Sequence, residues 1–204
     1  MEPSVVAFDV DKTLTVRDCV FPFLWRVGGT RGVVRALKEP VATVRAVLGR
    51  DREHLKRHFV RSFLSGLDEE SVRRAGEEFA SIIAASWMRE DVAHRLRRHQ
   101  DAGDIVVLVS ASLDPYLEPL GDLLEVDAVL CTRLEIVDGR LTGELEGANC
   151  RGEEKVNRLR TWASTAGLPA DGWLGAAYGD SSGDDAMLAL AAEPCRVGAM
   201  ELAR

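Results

Sequence analysis

The sequence predicts an α/β protein in which helices cover a parallel sheet, with an all-helical segment inserted after the first strand. Three observations predict this fold class. Apolar runs rich in β-branched residues recur along the chain, beginning at residues 5–8. From residue 89 onward these runs alternate with helical spacing, which indicates parallel strands joined by right-handed crossovers. Residues 17–88 show helical spacing and almost no strand pattern, so they form the predicted insertion.

Length and composition fit a globular protein. The 204 residues are 46% hydrophobic and 29% charged, which is ordinary for such proteins. No apolar run approaches the ~18 residues that a membrane span needs, and the N-terminus lacks the pattern of a secretory signal. Cys19, Cys131, Cys150 and Cys195 show no CxxC or metal-ligand spacing. We therefore expect a cytoplasmic protein with reduced thiols.

Charge is unevenly distributed along the chain. The net charge is −7, yet residues 17–61 contain 11 Lys and Arg against 4 Asp and Glu. A basic segment set against an acidic body suits an anionic substrate or an anionic surface. A solvated helix face explains the same pattern equally well. We expect no nucleic-acid partner, and contact with a membrane surface stays open.

The insertion is about 70 residues long, too long for an ordinary connection, and indicates a small helical subdomain. The Gly28–Thr30 segment predicts a break before a second helix, which Pro40 is expected to kink. Asp51 is predicted to cap a third helix and Ser65-Gly66 to end it. Asp68 then opens a fourth helix, whose first turn carries acidic residues.

The remaining chain predicts alternating helices and strands. The expected helices cover 89–102, 114–125, 153–166 and 184–192, and the expected strands cover 105–109, 128–131, 174–178 and 196–198. Between the second and third of these helices, residues 133–145 alternate around Asp138-Gly139, a strong hairpin signal.

Two carboxylates follow the first strand directly. Asp9 and Asp11 are two positions apart, and side chains at that spacing on an extended segment share a face. They are therefore expected at the carboxyl end of the strand, where open α/β sheets bind ligands. Two carboxylates that lie so near each other repel unless a cation or a shared proton intervenes.

Further polar residues occupy similar places later in the chain. Ser110 follows the second strand, Lys155 lies at a helix start, and Asp180 and Asp184 follow a fourth core strand. Taken one at a time, a turn, a cap or a solvated helix position explains each of them. Their occurrence together at one sheet edge favours a shared site, and this inventory suits Mg²⁺ together with a phosphate.

The order DxDxT, strand-Ser, Lys and GDxxxD resembles that of the haloacid dehalogenase superfamily of aspartyl phosphatases. The resemblance covers residues 5–198, and the helical insertion looks like the first type of cap (C1) in the phosphoserine phosphatase-like branch, subfamily IB. It implies a Rossmann-like, three-layer core made from residues 1–16 and 89–204 and a cap made from residues 17–88.

The resemblance also implies roles for individual residues. Asp9 would be the nucleophile that forms an aspartyl phosphate, and Asp11 would be the general acid and base. Asp9, the backbone carbonyl of Asp11, Asp180 and Asp184 would hold Mg²⁺.

The resemblance implies that five further residues bind the substrate: Thr13, Asp18, Ser110, Ala111 and Lys155. Asp18 matches the acidic residue that contacts the substrate amino group in phosphoserine phosphatases, although a helix N-cap explains it equally well. Ala111-Ser112 stands where those enzymes usually place glycines, which weakens a phosphoserine assignment.

The expected function is hydrolysis of a small-molecule phosphomonoester similar to phosphoserine or histidinol phosphate, with Mg²⁺ as cofactor. The alternatives are a phosphatase for phospholipid head groups such as phosphatidylglycerophosphate, a phosphotransferase, and a catalytically silent regulatory or binding module. The sequence leaves open whether the protein is a monomer or a homodimer. It also leaves open the role of Lys12 and of the i, i+4 pair His54 and His58.

Overall fold

A computed structural model describes residues 4–38 and 52–198, which include one six-stranded sheet in the order β4-β3-β2-β1-β5-β6. The strands are β1 (Val5–Phe8), β2 (Ile105–Leu113), β3 (Ala128–Val137), β4 (Arg140–Glu146), β5 (Leu174–Gly179) and β6 (Glu193–Arg196). The helices are α1 (Val20–Lys38), α2 (Arg52–Leu64), α3 (Glu69–Ser86), α4 (Glu90–Asp101), α5 (Asp114–Leu123), α6 (Glu153–Thr165) and α7 (Asp185–Leu190). Neighbouring strands are parallel except β3 and β4, so the predicted α/β class with a mostly parallel sheet is confirmed.

β1 lies in the middle of the sheet and is buried on both faces. Val6 and Phe8 enter one apolar cluster, while Val5 and Ala7 enter the other. A strand buried on both faces consists of a continuous apolar run, which is why the sequence alone identifies it. Its position between β2 and β5 brings the ends of three strands to one edge of the sheet.

Two strands extend beyond their predicted ends. β2 was expected to end at residue 109, but it continues through Ser110 to Leu113, which pairs with Thr132. β3 runs without interruption from Ala128 to Val137 and includes the first arm of the predicted hairpin. The hairpin is confirmed, with left-handed backbone at Asp138 (φ 51) and Gly139 (φ 71). Polar side chains interrupt an apolar run, but the backbone hydrogen bonds between strands continue past them. A strand predicted from the apolar run alone therefore ends too early.

The last predicted strand is misplaced. Residues 196–198 were expected, whereas β6 covers Glu193–Arg196 at the edge of the sheet. An edge strand pairs through its backbone and tolerates Pro194 and exposed polar side chains. The apolar periodicity of the sequence therefore does not predict β6.

The chain leaves the sheet after β1 and returns before α4 through two segments that hydrogen-bond to each other. The Val16 amide donates to the Trp87 carbonyl (2.8 Å), and the Arg89 amide donates to the Leu14 carbonyl (2.8 Å). Between them lie α1, α2 and α3, hereafter the inserted helices. In the described residues, no helix combines the length and apolarity that crossing a bilayer requires.

The local signals in the inserted helices are borne out unevenly. The predicted break at Gly28–Thr30 is borne out, because Gly29 has non-helical backbone (φ 50) and two helical stretches of α1 meet there at a kink. Ser65-Gly66 follows the end of α2, and Asp68 caps α3 by accepting from the Ser71 amide. The roles expected for Pro40 and Asp51 lie outside the described residues.

We predict that Gly76→Ala destabilises the protein. Gly76 lies on α3, where an added Cβ would overlap the Pro115 carbonyl oxygen at the start of α5. Backbone cannot rotate away, so the helices must separate at a cost of about 2 kcal/mol. Alanine gains about 1 kcal/mol of helix propensity over glycine, which the overlap exceeds. Urea unfolding should show a lower free energy of unfolding.

Ser81→Ala, on the exposed side of α3, is the control and should change stability little. Equal or greater stability of Gly76→Ala would contradict the close packing of α3 on α5.

Candidate active site

One cavity of about 660 Å³ opens at the carboxyl edge of the sheet. The carboxyl-terminal end of β2, the segments that follow β1 and β5, and the starts of α6 and α7 contribute to it. It contains eight of the predicted site residues: Asp9, Asp11, Asp18, Ser110, Ala111, Lys155, Asp180 and Asp184. Thr13 is buried beside it and contacts Asp9. The structure therefore gathers side chains that the sequence distributes over more than 170 positions.

The chain turns sharply immediately after Asp9. The Asp9 amide donates to the Tyr178 carbonyl (2.9 Å), and residues Val10–Leu14 then form a π-type turn. Lys12 has left-handed backbone (φ 62) at the tip of this turn, and its exposed side chain lines the cavity. The expectation that Asp9 and Asp11 lie on one extended segment is wrong because β1 ends at Phe8. Both carboxyl groups nevertheless reach the cavity.

Three carboxylates form a cluster on the floor of the cavity. One oxygen from each of Asp9, Asp180 and Asp184 lies within 4.8 Å of the other two. Asp9 and Asp184 are buried, and Asp180 is half-buried. The Lys155 ammonium donates to Asp9 Oδ1 (2.7 Å), to Asp184 Oδ1 (2.6 Å) and to the Val109 carbonyl (2.7 Å). All three of its hydrogens therefore point to protein acceptors.

Burial and these contacts shift the pKa values of Asp9 and Asp184 in opposite directions. Burial raises the pKa of Asp9 to about 7, against the opposing charge of Lys155, and the Asp184 charge adds to the increase. Burial also acts to raise the pKa of Asp184, but Lys155 and the donors of Ser181 outweigh it and hold that pKa below its usual value. Asp184 is therefore the more acidic of the two carboxyls.

The cluster fits a hard divalent cation. Carboxylate oxygens are the ligands that Mg²⁺ prefers, and three of them converge here. The positive charge of an ion would lower the pKa of Asp9, which burial and the Asp184 charge raise. The Asp11 carboxylate is not part of this cluster, so only its backbone carbonyl remains as the expected contribution to a metal site.

Asp11 has its own set of hydrogen-bond donors. The Cys19 amide donates to Oδ1 (2.8 Å), and the Ser112 hydroxyl donates to Oδ2 (2.6 Å). Burial raises the pKa of Asp11, and the negative charge of Asp18 adds to this effect. A carboxyl that retains its proton more readily than usual is suited to protonate a leaving group.

The expected phosphate ligands are placed differently from one another. The buried Ser110 hydroxyl accepts from the Ser112 amide (3.1 Å), which leaves its own hydrogen available to a ligand. Thr13 instead donates to Asp9 Oδ2 (2.9 Å) and holds that carboxylate. Asp18 accepts from the Val20 amide (3.0 Å) at the start of α1 and also lines the cavity. The position of Asp18 thus agrees both with a helix N-cap and with a contact to a substrate amino group.

Sequence reasoning missed a cation that the inserted helices place in the cavity. Lys56 on α2 donates to the Ala111 carbonyl and to Asn149 Oδ1 (2.7 Å), both neutral acceptors. Burial lowers the pKa of Lys56 to about 8. The available signal was helical spacing, because Lys56 and Phe59 are three residues apart and line the same wall.

Four other residues of the inserted helices have clear positions. Phe63 is buried and packs over α1 at Gly32, whereas Trp25 is 48% exposed. His54 and His58 belong to no group of three possible metal ligands among the residues that the structure covers.

Comparisons with known proteins agree with the site. The model of the haloacid dehalogenase-like hydrolase family matches residues 6–189. The chain is 41% identical to protein CicA of Caulobacter vibrioides, over 94% of this chain and 85% of the relative. It is 33% identical to phosphoserine phosphatase SerB2 of Mycobacterium tuberculosis, over 92% of this chain and 42% of that one. A solved Bordetella pertussis Tohama I protein of unknown function has a TM-score of 0.75 and 23% identity, covering 93% of this chain and 87% of its own.

Proposed function

The chain belongs to the haloacid dehalogenase-like hydrolases, and from that premise we propose that it is a Mg²⁺-dependent phosphatase acting on a small-molecule phosphomonoester through an aspartyl phosphate. As a phosphoric monoester hydrolase it needs a nucleophile, a proton donor and positive charge around the phosphate. The observation that carries the proposal is the buried Asp9, which contacts Lys155 and shares a carboxylate cluster with Asp180 and Asp184.

In the first step, an Asp9 oxygen attacks phosphorus while the bond from phosphorus to the leaving oxygen breaks. Asp11 gives its proton to that oxygen, so the substrate leaves as an alcohol. In the second step, Asp11 takes a proton from water, the water oxygen attacks the phosphoryl group, and inorganic phosphate departs from Asp9. Bound Mg²⁺ would supply the positive charge that lets an anionic nucleophile meet a phosphate dianion.

The other residues hold these groups in place. Lys155 and Thr13 each donate to one oxygen of Asp9, which fixes the plane of the nucleophilic carboxylate. Ser110 has a free hydroxyl hydrogen for a phosphoryl oxygen, and Ala111 lies beside it at the cavity. We assign Ser110 and Ala111 to phosphate binding, and Lys155 to charge balance near the phosphate.

We propose that residues 17–88 form a cap over a core made from residues 1–16 and 89–204. Lys56 donates to Ala111 and Asn149 across the cavity, which is an interaction between an inserted helix and the sheet edge. Such a cap would exclude water from the reaction and contact the part of the substrate beyond the phosphate.

Two substrate classes follow from the walls of the cavity. Asp18 offers a carboxylate to an amino group and Lys56 offers an ammonium to a second anion, which supports phosphoserine or a phosphorylated amino alcohol such as histidinol phosphate. The second candidate is an amphiphilic phosphomonoester such as a phospholipid head group. It is supported by apolar side chains that line the wall of the inserted helices: Val20, Phe21, Pro22, Leu24, Leu55 and Phe59.

A substrate screen separates these classes. Phosphoserine, histidinol phosphate and a phosphatidylglycerophosphate would be compared by kcat/KM. Added acceptor alcohols would reveal phosphotransfer as a new phosphoester product. A protein without activity on any phosphomonoester would instead support a binding module.

We predict that p-nitrophenyl phosphate is hydrolysed only when Mg²⁺ is present and that Asp180→Asn raises the Mg²⁺ concentration for half-maximal activity about tenfold or more. The reason is the loss of one charged ligand from the cluster of three. Titrating Mg²⁺ after EDTA treatment measures this. Asp122→Asn, an exposed carboxylate on α5, is the matched control and should behave as the parent. Turnover that persists without divalent metal would contradict the proposal.

A further inference from the structure

A buried chain of hydroxyl groups leads to the Asp11 carboxylate. The Tyr116 hydroxyl donates to Ser112 Oγ (2.7 Å), and the Ser112 hydroxyl donates to Asp11 Oδ2 (2.6 Å). Ser112 and Tyr116 have no exposed surface. Neither was among the residues that the sequence assigned to the site.

The direction of these hydrogen bonds is fixed. Burial raises the pKa of Tyr116 well above its usual value, so the phenol remains protonated and donates. A serine hydroxyl has a single hydrogen, and since Ser112 accepts from Tyr116, that hydrogen is free to point at Asp11. The Cys19 amide meets the other Asp11 oxygen at 2.8 Å. One donor on each oxygen prevents the carboxyl group from rotating about its Cβ–Cγ bond.

This arrangement limits where Asp11 can carry a proton. The lone pair of Oδ2 that faces Ser112 is already occupied by a hydrogen bond, and so is the lone pair of Oδ1 that faces Cys19. A proton on Asp11 must therefore occupy one of the remaining lone pairs. Asp11 lines the cavity, so an orientation fixed from behind directs that proton toward a bound substrate.

The far end of the chain is held by the inserted helices. The Tyr116 ring packs against Phe23 of α1, with ring centroids 4.8 Å apart, and against Phe79 of α3 at 5.3 Å. The close contact of Gly76 with Pro115 positions the first turn of α5, which carries Tyr116. Tyr116 therefore links the packing of the inserted helices to the orientation of a carboxyl group in the cavity.

We propose that Ser112 and Tyr116 are positioning residues that aim the proton of Asp11 at the leaving oxygen of the substrate. The proposal rests on the proposed function, in which Asp11 is the general acid. Packing alone does not explain the pair, because alanine and phenylalanine would fill nearly the same space without burying two hydroxyl groups.

The test compares two leaving groups. Proton donation matters greatly when an alkoxide departs and little when p-nitrophenolate departs, since the latter is a stable anion. We expect Ser112→Ala to lower kcat/KM for an alkyl phosphate such as propyl phosphate at least about tenfold, because general acid catalysis contributes about 10²–10⁴-fold. For p-nitrophenyl phosphate we expect a change of less than about threefold. The quantity kcat/KM is used because it reports the step in which the leaving group departs.

Two further variants separate positioning from folding. Tyr116→Phe keeps the ring contacts with Phe23 and Phe79 and removes only the hydroxyl, and we expect a smaller selective loss on the alkyl phosphate. Ser62→Ala removes a buried serine hydroxyl on α2 and should leave the ratio of the two kcat/KM values at that of the parent. Thermal unfolding of each variant shows whether it is folded.

The outcomes are distinct. A selective loss on the alkyl phosphate in Ser112→Ala supports the inference. An equal loss on both substrates, or no loss on either, overturns it and leaves the proposed function standing. A parent protein that hydrolyses neither substrate overturns both.

Discussion

Asp9→Asn is expected to lower kcat for p-nitrophenyl phosphate by at least about 10³-fold, because an amide oxygen cannot form the aspartyl phosphate. Asparagine has nearly the same shape and still accepts a hydrogen bond from Lys155, so the fold should persist. The substitution also removes one charge from the cluster with Asp180 and Asp184, which weakens Mg²⁺ binding as well. Steady-state kinetics at saturating Mg²⁺, together with circular dichroism, measure the effect.

Asp122→Asn makes the same chemical change on the exposed face of α5 and serves as the control for an aspartate-to-asparagine exchange. Substantial activity in Asp9→Asn at high Mg²⁺ would rule out a covalent role for Asp9. It would leave the family and the fold unaffected, since these rest on the whole chain.

The second large effect is expected for Lys155→Met. The Lys155 ammonium is buried between Asp9 and Asp184, so its removal leaves two carboxylates facing each other without a cation. Breaking a buried ion pair in this way costs about 3–5 kcal/mol. We therefore expect a loss of that order in the free energy of unfolding at pH 8, together with loss of activity. Urea denaturation in the absence of divalent metal measures the stability.

The loss in Lys155→Met should depend on pH in a definite direction. Without the ammonium, the pKa values of Asp9 and Asp184 are both higher in the folded protein than in the parent. A carboxyl whose folded pKa is raised destabilises the fold as pH rises through that pKa, because the folded state then loses a proton that it holds preferentially. The difference between variant and parent should thus be largest at pH 8 and shrink toward pH 5.

Lys38→Met, at the exposed last position of α1, controls for the change of lysine to methionine and should have little effect. A deficit in Lys155→Met that stays constant from pH 5 to pH 8 would indicate lost packing rather than carboxylate repulsion. Restoration of stability by added Mg²⁺ would separately support an ion site at the carboxylate cluster.

Local sequence patterns were sufficient for much of the fold. The continuous apolar run of β1, the Asp138-Gly139 turn and the Asp68 cap each depend on neighbours within a few residues, and all three were found. The errors fell where polar residues continue a backbone ladder, at Ser110 in β2 and over Glu193–Arg196 in β6. Hydrogen bonding between strands does not require apolar side chains, so apolar periodicity does not predict where it continues.

Some residues of the candidate site could likewise be predicted from the sequence, and others could not. The order of motifs selected Asp9, Asp11, Lys155, Asp180 and Asp184, because each lies beside an apolar strand or a helix start that a local pattern reveals. All five lie in one cavity. The sequence contained no equivalent pattern for Ser112 or Asn149, and for Lys56 it offered only helical spacing.

By itself, the sequence determined the α/β class, the place of the helical insertion and the set of carboxylates at the sheet edge. Only the tertiary structure decided which side chains touch them. Lys155 reaches Asp9 across 146 positions of chain, and Ser112 reaches Asp11 across 101. Contacts at such separations depend on strand order and on how the inserted helices pack over α5. Those relations arise from the burial of whole elements against one another, and no local spacing of residues encodes them.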